Sequence, residues 1–329
     1  MKRILTGDRP TGALHLGHYV GSLRNRVALQ DKYDTFLFVA DYHMLTTKAE
    51  KVGDLNLKKI SFDIVRDNLA VGIDPKKVTY YLQSDVPETF ELSTILGMFI
   101  KVPRLEIVPS LKDMMRDSGI EAPSFGLLGY PVLMASDILV VRGDKVPVGK
   151  DNQANVEVAR ELAQRFNNAF GKTLNVPDPL VEGKVLPGTD GKTKMSKSIG
   201  NAIFLSDGPQ EVRRKVMAMY TDPSRIRATD PGQVEGNPVF AYHDSFNPNR
   251  TEVEELKNRY RVGKVGDVEV KERLVAVLEE FLAPIRERRD SIKDAEIEGL
   301  LQSGAKKARA VAQETLADVR AALKIPTLG

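Results

Sequence analysis

The sequence predicts an α/β protein, with a doubly wound parallel sheet followed by a mostly helical C-terminal region. Three observations lead there. Short apolar runs alternate with helical patterns early in the chain, a glycine-bracketed turn follows the first run, and after Asp207 the helices become rich in Glu, Lys and Arg. Wholly apolar strands belong to sheets covered on both faces, and their alternation with helices marks a doubly wound sheet. A length of 329 residues allows two domains, or one large α/β domain with a helical appendage. A soft boundary near Asp207 gives 1–207 as the sheet-bearing part and 208–329 as the helical part.

Taken in order, Ile4-Leu5-Thr6-Gly7 reads as a strand that ends at glycine, and Asp8 to Gly12 as a turn. Leu16, Val20, Leu23 and Val27 recur at helical spacing and form one apolar face. Phe36 to Ala40 is a continuous apolar strand. Leu55 to Leu69 is a helix ending near Gly72, and Val78 to Leu82 is a third strand. The middle, Glu88 to Phe170, is expected to be mostly helical, with a less regular stretch from Lys101 to Pro123. Asp151 to Phe170 is a helix with one charged face, and Gly171 suits its end. Proline and glycine thicken from Pro177 to Gly200, which indicates loop. Helices follow over Gln210 to Tyr220, Glu252 to Tyr260 and Asp267 to Ala322, with a turn-rich stretch from Thr221 to Asn249.

Composition narrows the function classes. Hydrophobic residues make up 42% and charged residues 28%, as in ordinary globular proteins. A formal net charge of +3 does not by itself demand nucleic acid, although a chain total hides local clustering. The absence of cysteine excludes disulfides, thiolate metal sites and a cysteine nucleophile. No apolar run reaches transmembrane length, and Met1 to Thr6 reads as a strand rather than the start of a signal peptide. The expected location is cytoplasmic, with no membrane association.

Two segments carry chemistry. The first, Gly7 to His18, places glycines at a strand–helix junction, where backbone can approach a phosphate chain and free N–H groups face it. His15 and His18 lie three apart on one helical face, so both can reach one ligand and donate to phosphate oxygens as charge builds. The plain alternative is a glycine turn with two surface histidines. The second segment is Lys194-Met195-Ser196-Lys197-Ser198. Its two lysines are compact charges on flexible stems within a glycine-rich loop, suited to a departing pyrophosphate. Taken alone, a solvated basic loop is the commoner explanation.

Together, His15-Leu16-Gly17-His18 and the lysine pentad resemble the two signatures of class I aminoacyl-tRNA synthetases. The likeness is specific to bacterial-type tryptophanyl-tRNA synthetases across nearly the whole chain. It runs through Arg9 to Gly12, Val39 to His43, Gln83 to Pro87, Tyr130 to Leu139, Val146 to Asp151, Met219 to Pro223 and Glu235 to Phe240. The resemblance implies a Rossmann-type catalytic core, ATP-dependent activation of L-tryptophan with Mg²⁺, and transfer to tRNA(Trp). It also implies a homodimer whose region after Asp207 reads the anticodon, and it brings no protein metal site.

The resemblance further implies site residues. His15, His18, Lys194 and Lys197 would be catalytic. Arg9, Pro10, Thr11, Gly17, His18, Gly149, Lys150, Asp151, Val185 and Lys194 to Ser198, including Met195 and Ser196, would hold ATP. Asp137, Met134, Tyr130, His43 and Gln153 would hold tryptophan. The residues themselves leave several of these open. Asp137, in an apolar helix, either accepts the indole N–H or pairs with an arginine such as Arg142. His43 lines a pocket or caps the next segment, Asp151 suits a plain N-cap, and Val185 is by sequence a loop valine. Either Asn152 or Gln153 takes the place of a family glutamine, and either Lys112 or Arg116 supplies a pyrophosphate-side cation. His18 and Arg9 depart from the asparagine and glutamine common in the family. Arg213-Arg214-Lys215 and Arg286, Arg288 and Arg289 form basic clusters that suit phosphate contact, or merely a solvated helix face.

The alternatives are a tyrosyl-tRNA synthetase, a synthetase-like paralogue with a non-charging role, and a small-molecule nucleotidyltransferase. The pentad and the segment around Asp137 favour tryptophan over tyrosine.

Overall fold

A computed structural model describes every residue except Lys150, Asp151, Glu182, Ser198 and 327–329. Five parallel strands form one sheet in the order β3-β2-β1-β4-β5, with β1 Arg3–Asp8, β2 Asp34–Val39, β3 Val78–Leu82, β4 Lys145–Val148 and β5 Asp178–Val181. Register pairs Leu5 with Phe36, Phe36 with Thr79, Ile4 with Lys145 and Lys145 with Asp178. The strand order reverses between β1 and β4, so the chain leaves the carboxyl ends of these neighbours in opposite senses and opens a crevice there. Arg9 follows β1 and Gly149 follows β4, at that point.

The first three strands lie where their apolar runs predict. β4 and β5 were not legible in the sequence. Each has four residues, carries a proline (Pro147, Pro179) and lacks a long apolar run, because neither is covered as fully as β1 to β3.

The chain divides into two compact units, drawn differently from a boundary near Asp207. One comprises Met1–Gly12, Asn25–Gly183 and Lys293–Gly329, and the other Ala13–Arg24 and Lys184–Ile292. The sheet-bearing unit holds its core between β1 to β3 and the helices Glu88–Gly97, Tyr130–Val140 and Gln153–Phe170, with Phe36, Leu92, Ala135, Leu139, Val156 and Leu162 buried.

The last helix, Asp294–Ala322, belongs to this unit too and packs on β3. The sequence reads Asp267 to Ala322 as one helix, but the structure breaks it into Asp267–Ser291 and Asp294–Ala322, with Lys293 extended between them. Ile297, Leu301, Ala305, Ala308, Ala312, Leu316 and Val319 recur at three- and four-residue spacing and make the buried face. Small residues set the approach distance: a Cβ on Gly304 would overlap the backbone carbonyl of Tyr80. Arg309 to Glu88 and Arg320 to Glu91 close the edges with paired hydrogen bonds.

The second unit is helical: Pro209–Met217, Pro238–Phe246, Arg250–Arg261 and Asp267–Ser291. Helix Pro238–Phe246 falls inside the stretch read as turns. Its Pro at the start and Asn237 cap are typical helix-opening chemistry, hidden in the sequence by the surrounding Pro, Gly and Asn. Val212, Val216, Phe240, Leu274 and Leu278 are buried in this unit. Lys271 is buried and donates to the carbonyls of Met217 and Met219 at 3.1 and 2.7 Å and to Thr221 Oγ1 at 2.9 Å. Its ammonium satisfies carbonyls that the end of Pro209–Met217 leaves open, and burial lowers its pKa.

Candidate active site

In the second unit the two signature segments meet, although nearly 180 residues separate them in sequence. Backbone pairing brings them together: Leu16 N–H donates to Ile203 O at 2.9 Å and Leu205 N–H to Leu14 O at 3.0 Å. This seats the segment just past the pentad beside the histidines. Gly17 N–H then points to Met195 Sδ at 3.3 Å. A Cβ on Gly17 would lie 3.0 Å from the His15 ring and 3.2 Å from Met195 Cβ, so glycine permits the approach.

His15 and His18 face each other, with ring centroids 3.7 Å apart. The His15 N–H donates to His18 Nδ1 at 3.1 Å, so Nδ1 of a neutral His18 carries no proton and Nε2 carries it. Burial, then His18, then the Lys197 charge lower the His15 pKa to about 3. His15 is therefore a neutral imidazole near pH 7, and its buried Nδ1 has no hydrogen-bond partner. After His18 the backbone winds into a π-helical turn, Tyr19–Leu23, of the kind often seen beside functional groups.

The pentad sits on a hairpin base. Gly188 N–H donates to Thr193 O at 2.8 Å and Met195 N–H to Leu186 O at 3.4 Å, and Pro187 pairs antiparallel with Lys194. Tyr242, fully buried, donates its hydroxyl to Pro187 O at 3.0 Å. Met195 is buried, Lys194 is exposed, and Ser196 and Lys197 are half-buried. Val185 is 81% exposed. Ser198 lies outside the described residues.

The sheet-bearing unit gathers the residues expected to hold tryptophan. Asp137 is buried on helix Tyr130–Val140. Its partners are His43 Nε2 at 2.8 Å and Gln83 Nε2 at 2.9 and 3.0 Å, rather than Arg142. Arg142 instead donates to Thr315 and Asp318. Burial raises the Asp137 pKa, and the His43 and Gln83 contacts pull it back. A carboxylate has about four acceptor positions, so these donors leave room for one more. His43 contacts Asp137 and so is no mere cap, and its ring meets Tyr130 edge-on at 6.4 Å. Met134 is half-buried against the same core.

Tyr130 hydroxyl bonds Ser110 and, at 3.2 Å, Asn155 Oδ1. Asn155 Nδ2 donates to Asn152 Oδ1 at 3.2 Å. The polar chain thus runs to Asn152; both it and Gln153, the first residue of the helix, are exposed. Burial lowers the Arg9 pKa; its guanidinium donates to Thr47 Oγ1 at 3.0 Å while its buried Nε has no partner. Pro10 is buried and Thr11 N–H donates to Arg9 O at 2.7 Å, closing the turn after β1. Gly149 O accepts from Asn152 N–H at 3.1 Å. Lys150 and Asp151 lie outside the described residues. Lys112 is exposed, and Arg116 is engaged by Asp113 and Asp117 of its own helix.

Gln83 is the site residue that sequence reasoning missed. Its Oε1 accepts the N–H groups of Tyr42 and His43 while its Nε2 holds Asp137. The available signal was position: it directly follows β3, at the carboxyl edge where open sheets place ligand groups. Ser110 and Asn155 gave no comparable signal.

The Arg213-Arg214-Lys215 cluster resolves into ion pairs. Arg213 makes a two-pronged pair with Glu272, Arg214 pairs with Glu211, and Lys215 with Asp207 at 2.6 Å. Arg286 is held by Glu279 and the Asp207 carbonyl. Among the described residues no helix is long and apolar enough to cross a membrane.

Comparison with known proteins agrees with this geometry. The family described as tRNA synthetases class I (W and Y) matches residues 1–283. A Tryptophan--tRNA ligase of Treponema pallidum (strain Nichols) is 51% identical over 326 residues, covering 98% of this chain and 97% of that protein. One from Borreliella burgdorferi is 50% identical over 327 residues, covering 97% and 93%. The crystal structure of tryptophanyl-tRNA synthetase from Campylobacter jejuni, complexed with ADP and tryptophan, superposes with a TM-score of 0.87 at 35% identity, covering 98% of this chain and 100% of that one. With a doubly wound sheet, paired signature segments and near full-length likeness, the chain belongs to the class I tRNA synthetases of the W and Y family.

Proposed function

We propose that this protein activates L-tryptophan with ATP and transfers it to tRNA(Trp). The family embraces both tryptophan and tyrosine enzymes, and the relatives named for tryptophan, at 46–51% identity over nearly the whole chain, favour the former. The observation that carries the reading is the union of His15, His18, Met195 and Lys197 in one unit, with a buried His15 nitrogen lacking a partner.

The chemistry needs no side-chain nucleophile. The tryptophan carboxylate attacks the α-phosphorus, a C–O–P bond forms, and the bond to pyrophosphate breaks. A ribose hydroxyl of the terminal adenosine of tRNA then attacks the acyl carbon, and AMP leaves. His15 and His18 donate to phosphate oxygens, and Lys194 and Lys197 take up charge as pyrophosphate departs. Family resemblance assigns ATP contacts to Gly17, Val185, Met195, Ser196 and Ser198, and also to Arg9, Pro10, Thr11, Gly149, Lys150 and Asp151. Asp137, held by His43 and Gln83, accepts the indole N–H. Met134 packs on the ring, and Tyr130 holds the ammonium group. Asn152 is favoured over Gln153 through its link to Asn155.

Mg²⁺ enters as the companion of ATP. When bound, the ion would neutralise charge on the phosphates; among the described residues no group of three or more His, Cys, Asp or Glu side chains is placed to hold a metal. A homodimer, a cytoplasmic location and anticodon reading by the region after Asp207 complete the proposal. Met98, Ile107 and Phe125, apolar side chains exposed on the sheet-bearing unit, support an association surface. The test is amino-acid-dependent exchange of pyrophosphate into ATP, run with tryptophan, tyrosine and phenylalanine, followed by charging of tRNA(Trp). Exchange with tryptophan at a rate far above the others is expected. Equal exchange with tyrosine, or none with any, would refute the assignment.

A further inference from the structure

Two lysines on flexible stems act at defined places only if the backbone beneath them is fixed. In this chain a buried amide adds to the hairpin pairing that holds that backbone. Asn201, 3% exposed, accepts the Ser196 N–H on its Oδ1 at 2.7 Å. Its Nδ2 donates to Thr193 Oγ1 at 3.0 Å and to Lys194 O at 3.4 Å. Its own carbonyl accepts Thr189 N–H at 3.0 Å, which ties it to the facing arm of the hairpin. The amide thus holds the chain at Thr193, Lys194 and Ser196, just ahead of Lys197.

Gly188 makes room for it. A Cβ at position 188 would overlap the Asn201 side-chain amide, although Gly188 has no need of a left-handed backbone. Its missing side chain and the Asn201 side chain form one device.

We propose that Asn201, admitted by Gly188, is a positioning residue for adenylate formation, acting through the placement of Lys194 and Lys197. This rests on the reading of those lysines as the groups that meet the departing pyrophosphate. A displacement of about 1 Å in such a group costs on the order of 10²-fold in rate. The amide is made of donors and acceptors that a methyl group cannot replace, so the loop of Asn201→Ala loses its registration while the tryptophan-binding residues keep theirs.

The experiment measures single-turnover adenylate formation and, separately, tryptophan affinity. The chain contains no tryptophan, so fluorescence of the bound amino acid reports binding directly. Asn201→Ala is expected to slow adenylation about 10- to 100-fold with tryptophan affinity unchanged. Asn201→Asp keeps the acceptor for Ser196 but loses the bonds its amide donates to Thr193, Lys194 and Asp190 and sets a second carboxylate beside Asp190; it should be slow as well, and it decides the matter should the alanine variant not fold. Gly188→Ala should mimic Asn201→Ala, and their combination should cost no more than either alone.

The decisive arm is a cycle with Lys197→Ala, in which removing Asn201 should cost much less than in the parent. Adenylation within about twofold of the parent in both Asn201 variants overturns the proposal. So does an equal loss from Asn201→Ala with and without Lys197, or a matching loss of tryptophan affinity. Should Lys197→Ala itself run at the parental rate while the enzyme exchanges pyrophosphate, the lysine reading falls and takes the proposal with it. A slow Lys197→Ala beside a normal Asn201→Ala sinks only the positioning role.

Discussion

Asp137 Oδ2 accepts from His43 Nε2 at 2.8 Å, joining residues 94 apart in sequence across the carboxyl edge of the sheet. With Gln83 on the same carboxylate, the pair fixes an acceptor in an otherwise apolar helix. A hydrogen bond to a charged acceptor contributes about 1.5–3 kcal/mol. Asp137→Asn is therefore expected to lower kcat/KM for tryptophan about 10- to 100-fold, with tyrosine and phenylalanine changing far less. Competition assays of adenylation check this. Unchanged selectivity would mean that the carboxylate serves only His43 and Gln83.

His15 should show no titration across the neutral range. Burial is the main cause of its depressed pKa, with His18 and Lys197 adding to it. Histidine-labelled NMR should find the ring neutral down to about pH 4, with the protonated form appearing near pH 3. The sign for stability follows. Between the folded value and the unfolded 6.5, the unfolded chain binds more protons, so stability rises with pH there. The contribution is complete above pH 6.5 and is lost progressively as pH falls toward 3. A ring that titrates near 6.5 in the folded protein would contradict this burial.

Lys197→Ala should reduce the adenylation rate on the order of 10²-fold while tryptophan binding changes little, because the charge acts mainly as pyrophosphate leaves. Pre-steady-state adenylation beside equilibrium binding separates the two. Equal losses in both would place Lys197 in ground-state binding. A readout in the same variant is His15, whose pKa should rise once the neighbouring charge is gone.

The Arg213 and Lys215 pair is the sequence's best candidate for phosphate contact, but ion pairing changes the expectation. Glu272 takes the Arg213 guanidinium, and Asp207 takes a Lys215 that is largely covered. Lys215 also lies 4.6 Å over the Phe204 ring. Replacing Lys215 with Ala should cost stability, about 1–3 kcal/mol, because it strips a partner from Asp207. Replacing both should leave the salt dependence of tRNA binding as in the parent, since paired charges release few counterions. Thermal unfolding and binding across a salt series test the two halves. A shallower salt slope would restore the pair as a tRNA surface.

The sequence by itself determined the fold class, β1 to β3 and both signature segments. Each rests on local information: an apolar run, a glycine turn, two histidines three apart, two lysines around a serine. Such features keep their meaning wherever the chain goes. Tertiary structure decided the rest. Which partner Asp137 takes depends on the arrival of His43 and Gln83 from two other strand ends, and Arg142, close in sequence, turned away to Asp318. The short β4 and β5 exist because neighbours offer them hydrogen bonds, not because their own residues insist. The last helix joined the sheet because Gly304 and its alanines fit β3, a matter of shape that periodicity does not carry. Basic residues that looked available were neutralised by carboxylates up to 59 residues away, because a charge near a protein surface takes the partner that folding brings.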